Sequence, residues 1–403
     1  MADPVNFKKP KLDHSNYYLS NLKEKSEQKN HREYFCHANT AIWLKLIRTP
    51  SDFDNDDIVF HPKFTHQLFD KEIIKGFKNL RVNIYFSQAS LATFFQITYE
   101  DKLDDSFSAD ELEKKITKNI VGGFYKDKAE FLKALSRENN FKPIGKVIER
   151  HKRLSELETD PEHPCFSSYL PAFYGADTEI SYKITLSTFK TPGFKSFHDR
   201  IQFFLLLFID ASSYIDSSDS IWNVLCLYER RQNRRGDGSA GPAYTFIGYC
   251  TLYSFFSYPD SSKLRISQIL ILPPFQRSGH GGHLLEVIGE LCRKGDYSEL
   301  NIEDPSDGFQ FLRDLMDVSN CHRRNYFSFL SEENFREDLD EKLAARIKRE
   351  LKITDVQIRR CFEILKLKFL DIKNEQQYKL FRLFVKKRIY KIFWEEILSS
   401  LIF

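Results

Sequence analysis

The sequence has little methionine, no paired cysteines and no long apolar run. Two methionines stand against 37 phenylalanines and 19 tyrosines, so aromatic rings must carry much of the core packing. The seven cysteines (Cys36, Cys165, Cys226, Cys250, Cys292, Cys321, Cys361) are scattered singly, without a Cys-x-x-Cys pair. That argues against a zinc finger or a disulfide framework and fits a reducing compartment; no metal is expected. No uninterrupted apolar stretch reaches the roughly 18 residues of a membrane span. The opening "MADPVNFKKPKLDHSNYY" lacks the apolar segment of a secretory signal. Charge is nearly balanced, with 60 Lys and Arg against 57 Asp and Glu, which gives no electrostatic case for nucleic-acid binding. These absences point to the nucleus or the cytoplasm. Lys8, Lys9 and Lys11 read as a solvated basic tail or a short import signal.

What is present is a chain of 403 residues, enough for two or three domains. Residues 1–33 are polar and read as a flexible extension. "TAIWLKLI" (40–47) predicts a strand, and "VNIYFSQASLATFFQITYE" (82–100) two strands around a turn. "KDKAEFLKALSREN" (126–139) predicts a helix with Phe131, Leu132 and Leu135 on one face. A charged stretch, "ERHKRLSELETDPEHP" (149–164), reads as a linker. Beyond it, "EISYKITLSTF" (179–189) alternates as a strand, and the apolar run 199–215 predicts one long buried helix. Segments 221–230 and 243–256 form a hairpin around the turn-rich "RQNRRGDGSAGP", and "KLRISQILIL" (263–272) supplies the next strand. From about residue 316 the pattern is helical, with Phe362, Leu365 and Phe369 spaced three and four residues apart.

The most informative stretch is "QILILPPFQRSGHGGHLLEVI" (268–288), a strand, a Pro-Pro stop and a glycine-rich helix start. It is not a P-loop, because no Lys-Ser/Thr pair follows the second glycine. Nor is it a dinucleotide fingerprint, because Leu284 stands where the third glycine belongs. What remains is Gln-x-x-Gly-x-Gly at the mouth of a helix whose apolar face is Leu284, Ile288 and Leu291. Without side chains at Gly279, Gly281 and Gly282, backbone N–H groups can approach an anion, and the helix end adds about half a positive charge. A pyrophosphate suits such a turn.

This strand, Q/R-x-x-G-x-G/A and helix resemble the acetyl-coenzyme A signature of the Gcn5-related N-acetyltransferases. "RISQILILPPFQRSGHGGHLLE" (265–286), "NIEDPSDGFQFLRD" (301–314), "FTHQLFDKEIIKGFKNL" (64–80) and "FFSYPD" (255–260) are similar, more narrowly, to the catalytic subunits of type B histone acetyltransferases. The resemblance runs from about residue 35 to 400. Arg277 and the Arg/Gly-rich hairpin tip depart from it.

The resemblance implies an α+β protein: a flexible extension (1–33), an amino-terminal substrate-binding α+β domain (34–170), a Gcn5-related N-acetyltransferase core (171–315) and a carboxy-terminal helical region (316–403). It implies Glu303 as general base, with Asp304 assisting or orienting it. Acetyl-coenzyme A would contact Ile269, Leu270, Ile271, Gln276, Arg277, Ser278, Gly279, His280, Gly281, Gly282, Ser306 and Phe309. Asp70, Glu72, Trp222, Tyr253, Ser254 and Phe255 would receive the substrate. That substrate would be the basic tail of newly made, non-nucleosomal histone four, escorted by its histone three partner, with a WD-repeat chaperone as companion subunit. A base is needed because only about 0.04% of free lysine is neutral at pH 7. Cys292, in mid-helix without an activating partner, reads as structural. Two other readings stay open: an acetyltransferase for another protein amine, and a non-catalytic histone escort.

Overall fold

The computed structural model describes residues 33–103, 109–152, 178–233, 243–330, 337–371 and 373–394. The extension up to residue 32, the Lys8–Lys11 stretch, Cys165, most of the hairpin tip and the linker beyond residue 152 lie outside these residues. The chain divides into two compact units, Met1–Phe141 with Lys195–Ile215, and Lys142–Phe194 with Asp216–Phe403.

In the first unit, β1 (Phe35–His37) pairs with β3 (Ile73–Lys75), and the short helix α1 (Ala38–Ala41) leads from β1 into β2 (Ile42–Ile47). A three-stranded sheet runs in the order β2, β5 (Arg81–Ser87), β6 (Thr93–Thr98), parallel and then antiparallel. The small pair β4 (Phe77–Lys78) and β7 (Asp101–Lys102) flanks it. Helices α2 (Ala109–Thr117) and α3 (Lys128–Leu135) follow, the latter capped by Asp127, which accepts from the Glu130 N–H. The aromatic core read from composition is there: Phe53 meets Tyr85 at 4.7 Å and Phe131 edge-on at 5.9 Å, while Phe94 stacks on Phe131 at 5.7 Å. Buried Glu138 ties the β5–β6 turn together. Its carboxylate accepts from the Ala89 N–H (2.8 Å), the Ser90 N–H (3.0 Å) and the hydroxyls of Ser87 and Ser90.

The apolar run 199–215 is not one helix. It forms α4 (Phe194–Ile201) and α5 (Phe203–Phe208), broken at Gln202, and then leaves helical geometry. Ala211 is left-handed at φ +50°, and the Gln202 side chain accepts from the Ile215 N–H instead of facing solvent. Residues 203–207 are buried as expected, but the polar Gln202 marks the point where the chain turns back. The Leu207 carbonyl accepts from the N–H groups of Lys63 and Phe64, and Phe204 packs on Phe86 at 4.6 Å, so this segment belongs to the first unit.

The second unit is built on a six-stranded sheet in the order β13-β12-β11-β10-β9-β8. Its strands are β8 (Lys146–Lys152), β9 (Thr178–Ser187), β10 (Asn223–Asn233), β11 (Ala243–Ser257), β12 (Ser261–Ile271) and β13 (Tyr297–Ile302). All neighbours are antiparallel except β12 and β13. Residues 149–152, read as linker from their charges, are therefore part of an edge strand; edges tolerate charge because one side faces water. The β12–β13 crossover carries α6 (His280–Lys294), and α7 (Asp307–Arg323) follows β13.

The carboxy-terminal helices α8 (Glu341–Leu351), α9 (Asp355–Lys368) and α10 (Glu375–Ile392) start at Asp340, Thr354 and Asn374. Each of these side chains accepts the N–H three residues on. Cys321, Phe327, Ile347, Ile358 and Phe362 form the apolar centre that joins them to α7. Helical structure begins at Asp307, ahead of the expected boundary near 316. No helix among the described residues is long and apolar enough to cross a membrane.

Candidate functional site: a split sheet and an uncapped helix

The site grows from a parting of strands. β13 pairs with β12 from Ser262 to Ile266, and the Glu303 N–H donates to the Ile266 carbonyl at 3.0 Å. Beyond Ile266, among the described residues, no strand pairs with that side of β12. On its other side β12 stays on β11, with Ile269, Leu270 and Ile271 opposite Cys250, Tyr249 and Gly248. The Leu272 N–H donates to the Ile247 carbonyl. Antiparallel pairs alternate in which residues bond to the partner. Leu270 is thereby bonded to β11, and Ile269 and Ile271 turn their main-chain groups to the free edge. The Ile271 carbonyl on that edge accepts from the Gln276 side chain at 2.7 Å.

The turn after β12 is a single 3-10 turn, Pro273–Phe275, followed by Gln276. Arg277 is left-handed at φ +60° and exposed, and the Ser278 hydroxyl donates to the Gln276 carbonyl. Gly279, at φ +79°, is the N-cap of α6, and it supplies no side-chain cap. The first intrahelical bond runs from the His283 N–H to the Gly279 carbonyl. The N–H groups of Gly281 and Gly282 precede it, in the first turn, where the helix has no i−4 carbonyl to offer them. A glycine-capped start with the N–H groups of Gly281 and Gly282 in its first turn fits a phosphate.

The two following glycines have a further reason to be small. A Cβ on Gly281 would lie 3.1 Å from Leu312 Cδ2, and one on Gly282 would lie 3.3 Å from Met316 Sδ. Their missing side chains let α7 pack against α6. The His280 side chain is buried, edge-on to Tyr182 at 4.7 Å, so only its main chain faces the turn. Ser306 caps α7 by accepting from the Phe309 N–H, and Phe309 is half-buried in the first turn.

Around the foot of the split, several expected residues meet. Arg265 and Tyr253 are cross-strand partners. The Arg265 guanidinium lies 5.6 Å from the Tyr253 ring centre and 6.0 Å from that of Phe255. Its Nε makes an ion pair with Glu303 Oε2 at 3.3 Å, and the Glu303 side chain remains 44% exposed. Trp222 meets Tyr253 edge-on at 4.7 Å. Burial and the neighbouring Asp219 push the Tyr253 phenol up. Ser254 points to the opposite face, where its hydroxyl bonds the Tyr297 hydroxyl at 3.0 Å. Asp304, at φ +34°, makes the turn out of β13.

Arg265 was missed in the sequence. Its signal was a cation at a strand position in register with Tyr253, and register is not visible before the sheet is known. Cys292 is buried, which pushes its thiol up to about 11 and fits a structural role.

In the first unit, Asp70 is exposed, whereas Glu72 is occupied. It accepts from the Thr65 N–H (2.7 Å) and the Asn39 side chain (3.3 Å), with His37 at 3.6 Å. The Thr65 bond, then that of Asn39 and the nearby histidines, hold its carboxyl below the usual range against a smaller desolvation effect. Glu72 thus organises its own loop, and Asp70 is the freer acid.

Comparison with known proteins agrees with this architecture. Residues 34–210 match the family model described as Histone acetyl transferase HAT1 N-terminus. Residues 313–367 match that of Histone acetyltransferase type B catalytic subunit, C-terminal. The chain is 35% identical over 367 residues to the Histone acetyltransferase type B catalytic subunit of Homo sapiens, spanning 90% of this chain and 81% of that protein. The protein of the same description from Mus musculus is 34% identical over 367 residues, covering 90% and 82%. That from Cryptococcus neoformans is 33% identical over 391 residues, covering 90% of each. Two matched regions, near-full-length similarity and a split sheet before an uncapped glycine helix converge: the chain belongs to the family of type B histone acetyltransferase catalytic subunits, within the Gcn5-related N-acetyltransferases.

Proposed function

We propose that this protein acetylates lysines in the amino-terminal tail of newly synthesised, non-nucleosomal histone four, using acetyl-coenzyme A as acetyl donor. The observation that carries the chemistry is Glu303. It is a part-exposed carboxylate fixed by its backbone to Ile266 and by its side chain to Arg265, where β12 loses its neighbour.

The donor supplies an acetyl group activated as a thioester. The N–H groups of Gly281 and Gly282 would bind its pyrophosphate, with Arg277 adding positive charge and Gln276 holding the turn closed. The outward backbone of Ile269 and Ile271 would align the acyl arm as an added strand and polarise its carbonyl. Glu303 accepts one proton of the lysine ammonium. The neutral nitrogen then forms the new amide bond as the carbon–sulfur bond breaks. The nitrogen's surplus proton passes to the departing sulfur, releasing coenzyme A as its thiol without an acyl-enzyme. Trp222, Tyr253 and Phe255 provide aromatic surface for the lysine's aliphatic arm. Asp70 supplies a negative charge for a basic tail, with Glu72 shaping the loop that presents it. Histone four bound to histone three, and a WD-repeat chaperone, are the partners this reading implies.

Mass spectrometry of free histones, nucleosomes and unrelated basic peptides incubated with the full chain and acetyl-coenzyme A tests it. Acetyl groups should appear on the tail of free histone four and far less on nucleosomes. Preferential acetylation of an unrelated amine would replace the substrate assignment. Histone binding without any acetyl transfer would make the protein an escort.

A further inference from the structure

A group of side chains that the acetyl-transfer reading does not use lies where β8 meets the first turn of α6. β8 carries a bulge: Val147 faces Thr185, the next pair is Glu149 with Ile184, and Ile148 is the extra residue. Bulges re-aim the side chains that follow. Glu149 and His151 then stand two residues apart and share a face of the strand. His151 lies against Tyr182 at 5.1 Å.

His283 comes from α6, four residues past the N-cap Gly279. Its ring centre is 3.9 Å from that of His151, with the planes inclined by 50°. Nδ1 of His151 and Nε2 of His283 are both buried without a hydrogen-bond partner. Leaving such atoms unpaired costs about 1–3 kcal/mol each, so the arrangement calls for a ligand that accepts nitrogen lone pairs. One potential ligand atom from each of Glu149, His151 and His283 lies within 4.8 Å of the others. Tetrahedral zinc, with bonds of about 2.0–2.1 Å, sets its ligand atoms about 3.3 Å apart. Closure therefore asks for movements on the order of 1 Å, within the reach of side-chain rotation.

We propose that Glu149, His151 and His283 form a binding site for a divalent transition-metal ion of the zinc class, leaving a fourth position to water. Two imidazoles and one carboxylate suit zinc, cobalt or nickel and disfavour magnesium and calcium, which prefer oxygen ligands. The ion ties edge strand β8 to the first turn of α6. It also places positive charge beside the N–H groups of that turn, reinforcing the helix dipole. The sequence hid this site because its ligands are split between a stretch that reads as linker and a glycine motif that reads as phosphate-binding.

Metal uptake is measurable without reference to acetyl transfer, so the two readings fail separately. The full chain, free of any affinity tag and stripped with chelator, is titrated with Co²⁺ while visible d–d absorption is followed, and equilibrium dialysis gives the stoichiometry. One equivalent of Co²⁺ should bind with four- or five-coordinate absorption and be displaced by Zn²⁺. A His151→Ala/His283→Ala variant with parental circular dichroism should lose that equivalent. If the double variant does not fold, Glu149→Gln, at a part-exposed strand position, should weaken binding at least about ten-fold. Absence of such absorption in the parent, or parental binding in a folded variant, overturns the assignment.

Discussion

Glu303→Gln separates chemistry from structure at the split sheet. Gln keeps the size of the side chain, and the Glu303 N–H to Ile266 bond is unaffected because it is main-chain. What is lost is the proton acceptor and the charge facing Arg265 at 3.3 Å. With both partners more than a third exposed, 44% and 35%, that ion pair contributes about 0–1 kcal/mol. General-base catalysis is worth about 10²–10⁴-fold, or about 2.7–5.4 kcal/mol of activation energy. The catalytic loss therefore exceeds the structural one. In a steady-state assay with a histone four tail peptide, kcat at pH 7 should fall by about 10²–10⁴-fold while the melting temperature changes little. The deficit should narrow toward pH 9, because the neutral lysine fraction rises about a hundred-fold over that interval. Arg265→Gln removes the same ion pair and leaves the carboxylate, so it should retain most of the activity. A folded Glu303→Gln protein with parental kcat at pH 7 would refute general-base catalysis by this residue. An equal loss in both variants, constant with pH, would mean the pair only positions the substrate.

Two further expectations concern packing. Gly281→Val should destabilise the second unit by about 1–3 kcal/mol in chemical denaturation, because even its Cβ would stand 3.1 Å from Leu312; a parental midpoint would show that α7 yields freely. Glu138→Ala should cost at least about 2 kcal/mol, since the N–H groups of Ala89 and Ser90 both lose their acceptor. Unchanged hydrogen exchange at those two amides would contradict that account.

Legibility followed the range of the forces involved. The turn from Gln276 to Gly282 was readable because a helix start, a Pro-Pro stop and left-handed glycine are local properties of the chain. Why Gly281 and Gly282 are both glycine was only half readable: anion access is local, but Leu312 and Met316 arrive from a helix thirty residues on. The end of β8, residues 149–152, reads as linker because edge strands tolerate the same charges that linkers carry. The break at Gln202 was missed because Ile215, its hydrogen-bond partner, is brought back only by the fold. Glu303 was located through resemblance, whereas Arg265, which holds it, required the cross-strand register.

The parting of β12 from β13 has a thermodynamic side. A sheet interior ordinarily saturates its strands on both edges, and a strand left half-zipped holds back part of the cohesion available to it. Whatever lies along Ile269 and Ile271 completes that zipper, so ligand affinity and local rigidity are drawn from one reservoir of backbone hydrogen bonds. By linkage, a ligand that favours the ordered strand stabilises it by RT ln(1 + [L]/Kd), about 2.7 kcal/mol at a hundred times Kd. Each turnover would then tighten and relax the β12 end of the sheet while the ladders that join β8 to β11 stay in place, and product release would draw on the same local loosening.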